Sequence, residues 1–313
     1  MRYLLLSAAS AILLAGCNDT TRATVNSADA DPAAVSTAYT ADSAALESVL
    51  AAQPDEIKAR YDARHPAETL EFFGIAPGMT VVDVLPGSEG QGWYTGILAS
   101  YLGANGADGK LIVVDYSLDM WPEFGGFADA EFLEAKKTWA DDWVAGAEAR
   151  EADGEFGDSD IDYAATTFGE LSSMRGQADA VLFMRALHNL SRFEDAGGYL
   201  TQAVEETYDV LKPGGIVGVV QHRAPTDADD DWAVGSNGYV KQSRIVDAFE
   251  AAGFEFVAES DINANPKDMP TSEDMVWRLP PTLGTSREDP ELKAQMEAIG
   301  ESDRMTLKFR KPA

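Results

Sequence analysis

The sequence predicts an α/β protein built on a doubly wound, mostly parallel sheet. Three observations carry that prediction. Apolar runs of strand length alternate with segments of helix length from about residue 42 to the C-terminus, the pattern of repeated βαβ units. The first apolar run, Thr80-Val-Val-Asp-Val-Leu85, leads directly into a glycine-rich loop and then a helix. Composition over the 313 residues is globular, with 45% hydrophobic and 25% charged residues.

The elements follow in order. Residues 42–50 read as a short helix. A second helix starts near Pro66, because proline pre-sets the backbone of a first helical turn and lacks the amide hydrogen that would go unused there. It runs through Leu70, Phe72 and Phe73 to Gly74. Pro77-Gly78 marks a turn. Thr80 to Leu85 is a buried strand, residues 86–92 (Pro-Gly-Ser-Glu-Gly-Gln-Gly) are the loop, and 93–102 are helical. Lys110-Leu-Ile-Val-Val-Asp115 is the second strand. Residues 130–151 read as one helix with Phe132, Lys136, Trp139, Trp143 and Ala147 at helical spacing, a stripe that fits core packing rather than a ligand box. Residues 162–168 give a weak third strand and Ala178-Asp-Ala-Val-Leu-Phe-Met184 a fourth. A helix over 197–211 stops at Lys212-Pro213-Gly214-Gly215, and Ile216-Val-Gly-Val-Val-Gln221 is the fifth strand. A helix over 243–252 ends at Gly253, before a sixth strand at 254–260. Residues 261–302 form a long proline-rich excursion without an assigned element, the kind of loop that serves as a lid. Arg304-Met-Thr-Leu-Lys-Phe-Arg310 alternates as a last strand.

Lys and Arg number 24 against 53 Asp and Glu, a formal net charge of −29. Binding a phosphate backbone needs clustered cations, so no nucleic-acid partner is expected. Charge-driven adsorption to an anionic membrane is disfavoured on the same ground. The acidic excess reads as a solvated surface. A single cysteine excludes disulfide frameworks and cysteine-based zinc sites.

That cysteine closes an N-terminal pattern: Met1-Arg2, an apolar run over 3–15, then Leu14-Ala15-Gly16-Cys17. The run is shorter than the roughly 20 residues a spanning helix needs and fits the core of a secretory signal. Its end resembles the lipobox of bacterial lipoproteins. The resemblance implies a signal peptide over 1–16, lipidation of Cys17 and a lipid anchor on the periplasmic side of the envelope, with Asn18 favouring the outer membrane. Apart from that anchor no membrane contact is expected. No Arg-Arg pair precedes the run, so export is expected in the unfolded state. Residues 17–45, rich in Ala, Thr, Ser and Asp, read as a flexible tether, and 46–313 as the domain.

An aspartate-bearing strand, a glycine loop, a helix, a strand ending in Asp115 and a later Leu211-Lys-Pro-Gly-Gly before a strand together resemble class I S-adenosylmethionine-dependent methyltransferases. Arg64 with Pro66, Trp93-Tyr94, Arg185-Ala-Leu-His188-Asn189, His222-Arg223-Ala224 and the closing Leu307-Lys-Phe-Arg-Lys-Pro312 narrow the resemblance to a bacterial exported group without an established substrate. It spans about residues 55–313. It implies S-adenosylmethionine as cofactor and a Rossmann-like seven-stranded sheet of order 3-2-1-4-5-7-6, last strand antiparallel. Ligands in such a fold lie beyond the carboxyl ends of the strands. The implied cofactor residues are Gly87, Gly90 and Gly92, where backbone approaches the ligand; Asp115, accepting from ribose hydroxyls; Asp83, facing the sulfonium and amino group; and Thr167, near the adenine. The loop departs from the family spacing: of positions 85, 87 and 89 only 87 is glycine, and Gly90 and Gly92 are shifted. It does not match Gly-x-Gly-x-x-Gly either, which disfavours a nicotinamide cofactor.

Arg185, His188 and Asn189 follow the fourth strand; His222 and Arg223 follow the fifth. In the implied order these strands are neighbours, so both histidines are expected in one cleft, binding or deprotonating a methyl acceptor. His65 reads as a capping or surface residue. No Asn/Asp-Pro-Pro-Tyr element supports amide or base N-methylation. Three readings stay open. One is an exported methyltransferase acting on a small molecule or envelope component. The second is a ligand-binding or scaffold protein that kept the fold and lost the cofactor. The third is a metal-dependent site of His188, His222 and a carboxylate.

Overall fold

The structure, a computed structural model, describes residues 39–87 and 92–313. The predicted signal, Cys17, most of the predicted tether and Gly90 lie outside the described residues. Seven strands form one sheet: β1 (Thr80–Val84), β2 (Lys110–Asp115), β3 (Asp162–Thr167), β4 (Ala178–Met184), β5 (Leu211–His222), β6 (Glu255–Ser260) and β7 (Arg304–Arg310). Their order is β3-β2-β1-β4-β5-β7-β6. The first five run parallel and β7 is antiparallel to both neighbours. One consequence shapes the site. Because β7 runs backwards, its first residue, Arg304, pairs with the last residue of β5, His222. An arginine thus joins the edge where the parallel strands end.

The central strands β1, β2 and β4 bury both faces, as parallel strands covered by helices do. Alternation along β1 and β2 sends Val82, Val84, Ile112 and Val114 into one core with the helices Tyr199–Val210 and Gln242–Ala251. Val81, Leu111 and Val113 go into the other, with the helices Ser43–Ala52, Pro66–Phe73 and Thr95–Leu102. The helix Pro66–Phe73 has proline in its first turn and closes on Gly74 at φ 78°, a left-handed cap that glycine adopts without steric cost.

Four departures from the sequence reading have physical causes. The helix expected over 130–151 is two, Ala130–Lys136 and Trp139–Ala152. Phe132 and Leu133 pack against one core while Trp139, Trp143 and Ala147 fill the other. A single straight helix has one apolar stripe and cannot serve both faces of a sheet. Strand β5 begins at Leu211, so Lys212–Gly215 is strand rather than turn, with a register shift against β4 absorbing the irregularity. Within 261–302 lies a helix, Pro290–Ile299, whose Asp289 cap accepts from the amides of Glu291 and Leu292. Asp289-Pro290 was a legible helix start. Finally, Asp42 belongs to the folded unit: its amide donates to Tyr101 Oη at 3.0 Å and its carboxylate caps the helix Ser43–Ala52 through Ala45.

Candidate active site

The carboxyl ends of β1 and β2 carry the two predicted acids. Asp83 is buried, and desolvation pushes its carboxyl up to about 7 against the pull of Arg185. Asp115 is also buried, and both its oxygens are engaged. One accepts from the Tyr116 amide at 2.8 Å, the other from Lys136 Nζ at 2.5 Å. Burial raises the Asp115 carboxyl despite that partner. The Lys136 ammonium also lies 4.2 Å from the centre of the Trp121 ring, within cation–π range.

Just past β1, Leu85 stands where the family pattern has its first glycine. Its φ of 59° is the left-handed backbone that glycine favours. A leucine holds this backbone at a strain on the order of 1–3 kcal/mol. Gly92 closes the loop. A Cβ there would lie 2.1 Å from the Pro86 carbonyl oxygen and 2.4 Å from Thr95 Oγ1. Thr95 Oγ1 is itself buried without a partner among the described residues. A carboxyl group at each of two adjacent strand ends, a position 92 that admits only glycine and an orphaned hydroxyl beside it fit a nucleoside carrying a positive charge.

Beyond β4 and β5 the two histidines meet as expected, with ring centroids 5.8 Å apart. His188 is buried, its Nδ1 has no partner, and desolvation pushes its pKa down to about 4. His222 Nδ1 lies 2.6 Å from Ser302 Oγ. Burial, then His188, Arg185, Arg304 and Arg64, hold the His222 imidazole well below its ordinary value. Trp277, from the proline-rich excursion, packs on His188 at 5.9 Å, so that segment covers the pair. Its seat is a buried ion pair, Asp268–Arg278 at 2.9 Å, to which Tyr239 Oη also donates. Among the described residues no three His, Cys, Asp or Glu side chains converge as metal ligands.

The other predicted residues divide. Arg185, at the end of β4, has φ 66° and acts electrostatically on Asp83, Tyr94, His188 and His222. Asn189 does not join the histidines. Its amide donates to Tyr116 Oη at 3.0 Å, bracing the residue after Asp115. Arg223 turns away as well. Adjacent residues on a strand point to opposite faces, and Arg223 forms a two-point ion pair with Asp303 at 2.8 and 3.0 Å, lining a separate 810 Å³ pocket with Ala224, Lys241 and Met269. Thr167 pairs with Asp115 across β2 and β3 and is partly buried, while Phe168 belongs to the core. His65 links two helices at φ 41°.

The sequence reading missed Arg60, Arg304 and Glu301. Arg60 and Arg304 both pair with Glu301, and Arg64 Nε lies 3.5 Å from the same carboxylate. No local motif marks them, because they converge only through the antiparallel return of β7.

No protein-family model matches the sequence, and no curated protein matches it. Solved structures do. The cyclase SpnF is similar at a TM-score of 0.46 and 19% identity, over 80% of this chain and 81% of its own. A SAM-dependent methyltransferase from Aquifex aeolicus is similar at 0.43 and 16%, over 67% of this chain and 93% of its own. An arsenic(III) S-adenosylmethionine methyltransferase from Chlamydomonas reinhardtii is similar at 0.43 and 16%, over 86% and 73%. The strand order, with β7 reversed, decides the architecture. The fold is a Rossmann-like seven-stranded mixed sheet with helices on both faces. In that frame Asp83, Asp115, Gly87 and Gly92 sit at the strand ends where such a sheet binds ligands, and the histidine–arginine cluster lies beside them.

Proposed function

We propose that the protein is an S-adenosylmethionine-dependent methyltransferase, exported and lipid-anchored through Cys17, that acts on a small-molecule or envelope acceptor. The observation that carries the reading is the pairing of Asp83 and Asp115, at adjacent strand ends, with the glycine-only closure at Gly92. The cofactor supplies an electrophilic methyl group on a cationic sulfur. Asp115 would hold the ribose, the loop ending at Gly92 would hold the nucleoside against backbone, and Asp83 would face the positive end. Thr167 stands beside Asp115 on the adenine side.

The chain's own acceptor-side chemistry follows from the histidines. Both are neutral at pH 7, so each ring offers one nitrogen as an acceptor and the other as an N–H donor. With His188 near 4, a proton is poorly held before methyl transfer begins, since base strength follows pKa. The pair therefore orients an acceptor and takes its proton only as the acceptor becomes acidic.

Calorimetric titration with S-adenosylhomocysteine tests the cofactor. Wild-type protein should bind, and Asp115→Ala should bind about a hundredfold more weakly, as expected for losing hydrogen bonds to a charged acceptor worth ~1.5–3 kcal/mol. Absence of heat with wild type overturns the reading and leaves the fold without this cofactor. Cys17→Ser should move the chain from the membrane to the soluble fraction. Unchanged membrane retention overturns the anchor.

A further inference from the structure

A concentration of positive charge gathers at the ends of β4, β5 and β7 in a chain whose net charge is −29. Arg64 and Arg304 have side chains only 4% and 3% exposed. Arg185 is partly exposed, and Arg60 flanks the group. Among the described residues one carboxylate, Glu301, serves Arg60, Arg64 and Arg304 together. Three buried guanidinium nitrogens have no hydrogen-bond partner among the described residues: Arg64 Nε, Arg64 Nη1 and Arg304 Nε. Arg64 also lies 4.4 Å from the centre of the Trp93 ring, which fixes its plane.

Such a cluster is costly. Buried charges are tolerated when paired and hydrogen-bonded, and here donors outnumber acceptors. The strain shows in proton affinity. Burial, then the neighbouring Arg185 charge, lowers the Arg64 guanidinium to about 9; burial lowers Arg185 and Arg304 as well. Burial alone would raise the Glu301 carboxyl, yet Arg64, Arg304 and Arg60 hold it below its usual range. The nearby Asp83 gives little relief, being itself pushed up to about 7.

We propose that Arg64, Arg185 and Arg304 form a binding site for an oxyanion, the carboxylate or phosphate of the methyl acceptor. Guanidinium donors bind the oxygens of either group through charge-assisted hydrogen bonds, and Arg64 Nε, Arg64 Nη1 and Arg304 Nε are left unspent among the described residues. The position argues for the acceptor over the cofactor's own carboxylate. Arg304 stands on β7, three strand spacings from Asp83 on β1, about 14 Å at the usual strand separation. His222, opposite Arg304 across the β5–β7 ladder, is placed to orient the rest of the bound molecule. In assigning the oxyanion to an acceptor the proposal rests on the methyltransferase reading; the site itself does not.

The test is titration of the full chain with inorganic phosphate and, separately, with acetate, at constant ionic strength. Wild type should bind at least one of the two, and which one binds more tightly identifies the anion. Arg64→Gln and Arg185→Gln should each weaken binding tenfold or more, in line with loss of a charge-assisted hydrogen bond. Arg175→Gln, which removes a surface partner of Asp209, should bind as wild type does. Should a core variant fail to fold, shifts of the arginine Nε–Hε resonances of wild-type protein with phosphate give the same answer. Equal binding by wild type, Arg64→Gln and Arg185→Gln overturns the site, as does no binding of either probe by wild type. A third arm adds saturating S-adenosylhomocysteine. Unchanged phosphate affinity supports an acceptor site, and competition overturns that assignment. If phosphate binds and the nucleoside never does, the oxyanion site stands and the methyltransferase reading falls.

Discussion

At the end of β2 one carboxylate meets one ammonium; at the ends of β4, β5 and β7 four guanidinium groups crowd one carboxylate. The two regions lie along the same edge of one sheet, yet they treat charge in opposite ways. Asp115 is satisfied by Lys136 and a backbone amide, and Lys136 by Asp115 and the Trp121 face. A ligand arriving there must compete with an existing pair. Around Arg64, Arg185 and Arg304 the donors are in surplus, and an anion arriving there completes a set. The lesson concerns what a predicted site residue means. An acid at the right strand end is necessary for ribose binding, but its resting partner sets how much of that potential a ligand can use.

The largest expected effect that sharpens the contrast is a pH effect on the cationic side. His188 has a folded pKa near 4, below the ordinary value of about 6.5. Between those limits the unfolded chain binds more protons than the folded one, so stability rises with pH through this window and is lost as pH falls from about 6.5 toward 4. His188's share is about 3 kcal/mol at most, from the size of the shift. His222 pulls in the same direction. Asp83, raised to about 7, pulls the opposite way over about 4 to 7, but it does so equally in wild type and variant. Denaturant unfolding of wild type and His188→Asn across this range should therefore give a difference curve in which the variant loses less stability on acidification. Parallel curves would show that His188 protonates freely in the folded protein, and that its burial does not disfavour the charged ring.

Much of this was legible in the sequence, and the illegible part has one cause. β2, β4 and β7 were read to the residue: charged residues mark both ends of β2 and β7, and β4 is an apolar run closed by Arg185. The meeting of His188 with His222 followed from neighbouring strand ends. Arg223 was misplaced because it follows His222 directly, and adjacent residues on a strand cannot share a face. Asn189 was misplaced because the short helix Leu187–Arg192, absent from the sequence reading, turns it toward Tyr116. Arg304 and Glu301 were invisible as site residues because their partners Arg60 and Arg64 are some 240 positions away. Lys136 was counted in a core stripe. Only the break at Lys137–Thr138, which lets two helices serve two cores, leaves its ammonium at Asp115.

That break supports the smaller and sharper prediction. If the Asp115–Lys136 pair is a resting contact that a nucleoside displaces, Lys136→Met should tighten S-adenosylhomocysteine binding about tenfold, the equivalent of ~1.4 kcal/mol of competition removed. The thioether fills much of the lysine stem's space against Trp121 and Phe132 and leaves Asp115 free to accept from ribose. The same substitution should lower the stability of the unliganded protein at neutral pH, because a buried carboxylate without its partner is costly. That loss should shrink at acid pH, where Asp115, already raised by burial, takes a proton and no longer needs one. Thermal unfolding with and without ligand reads both effects in one series. Weaker ligand binding by Lys136→Met would reverse the assignment: the lysine would then hold the ligand itself, and the two regions of the sheet edge would be alike in offering their cations to an incoming molecule.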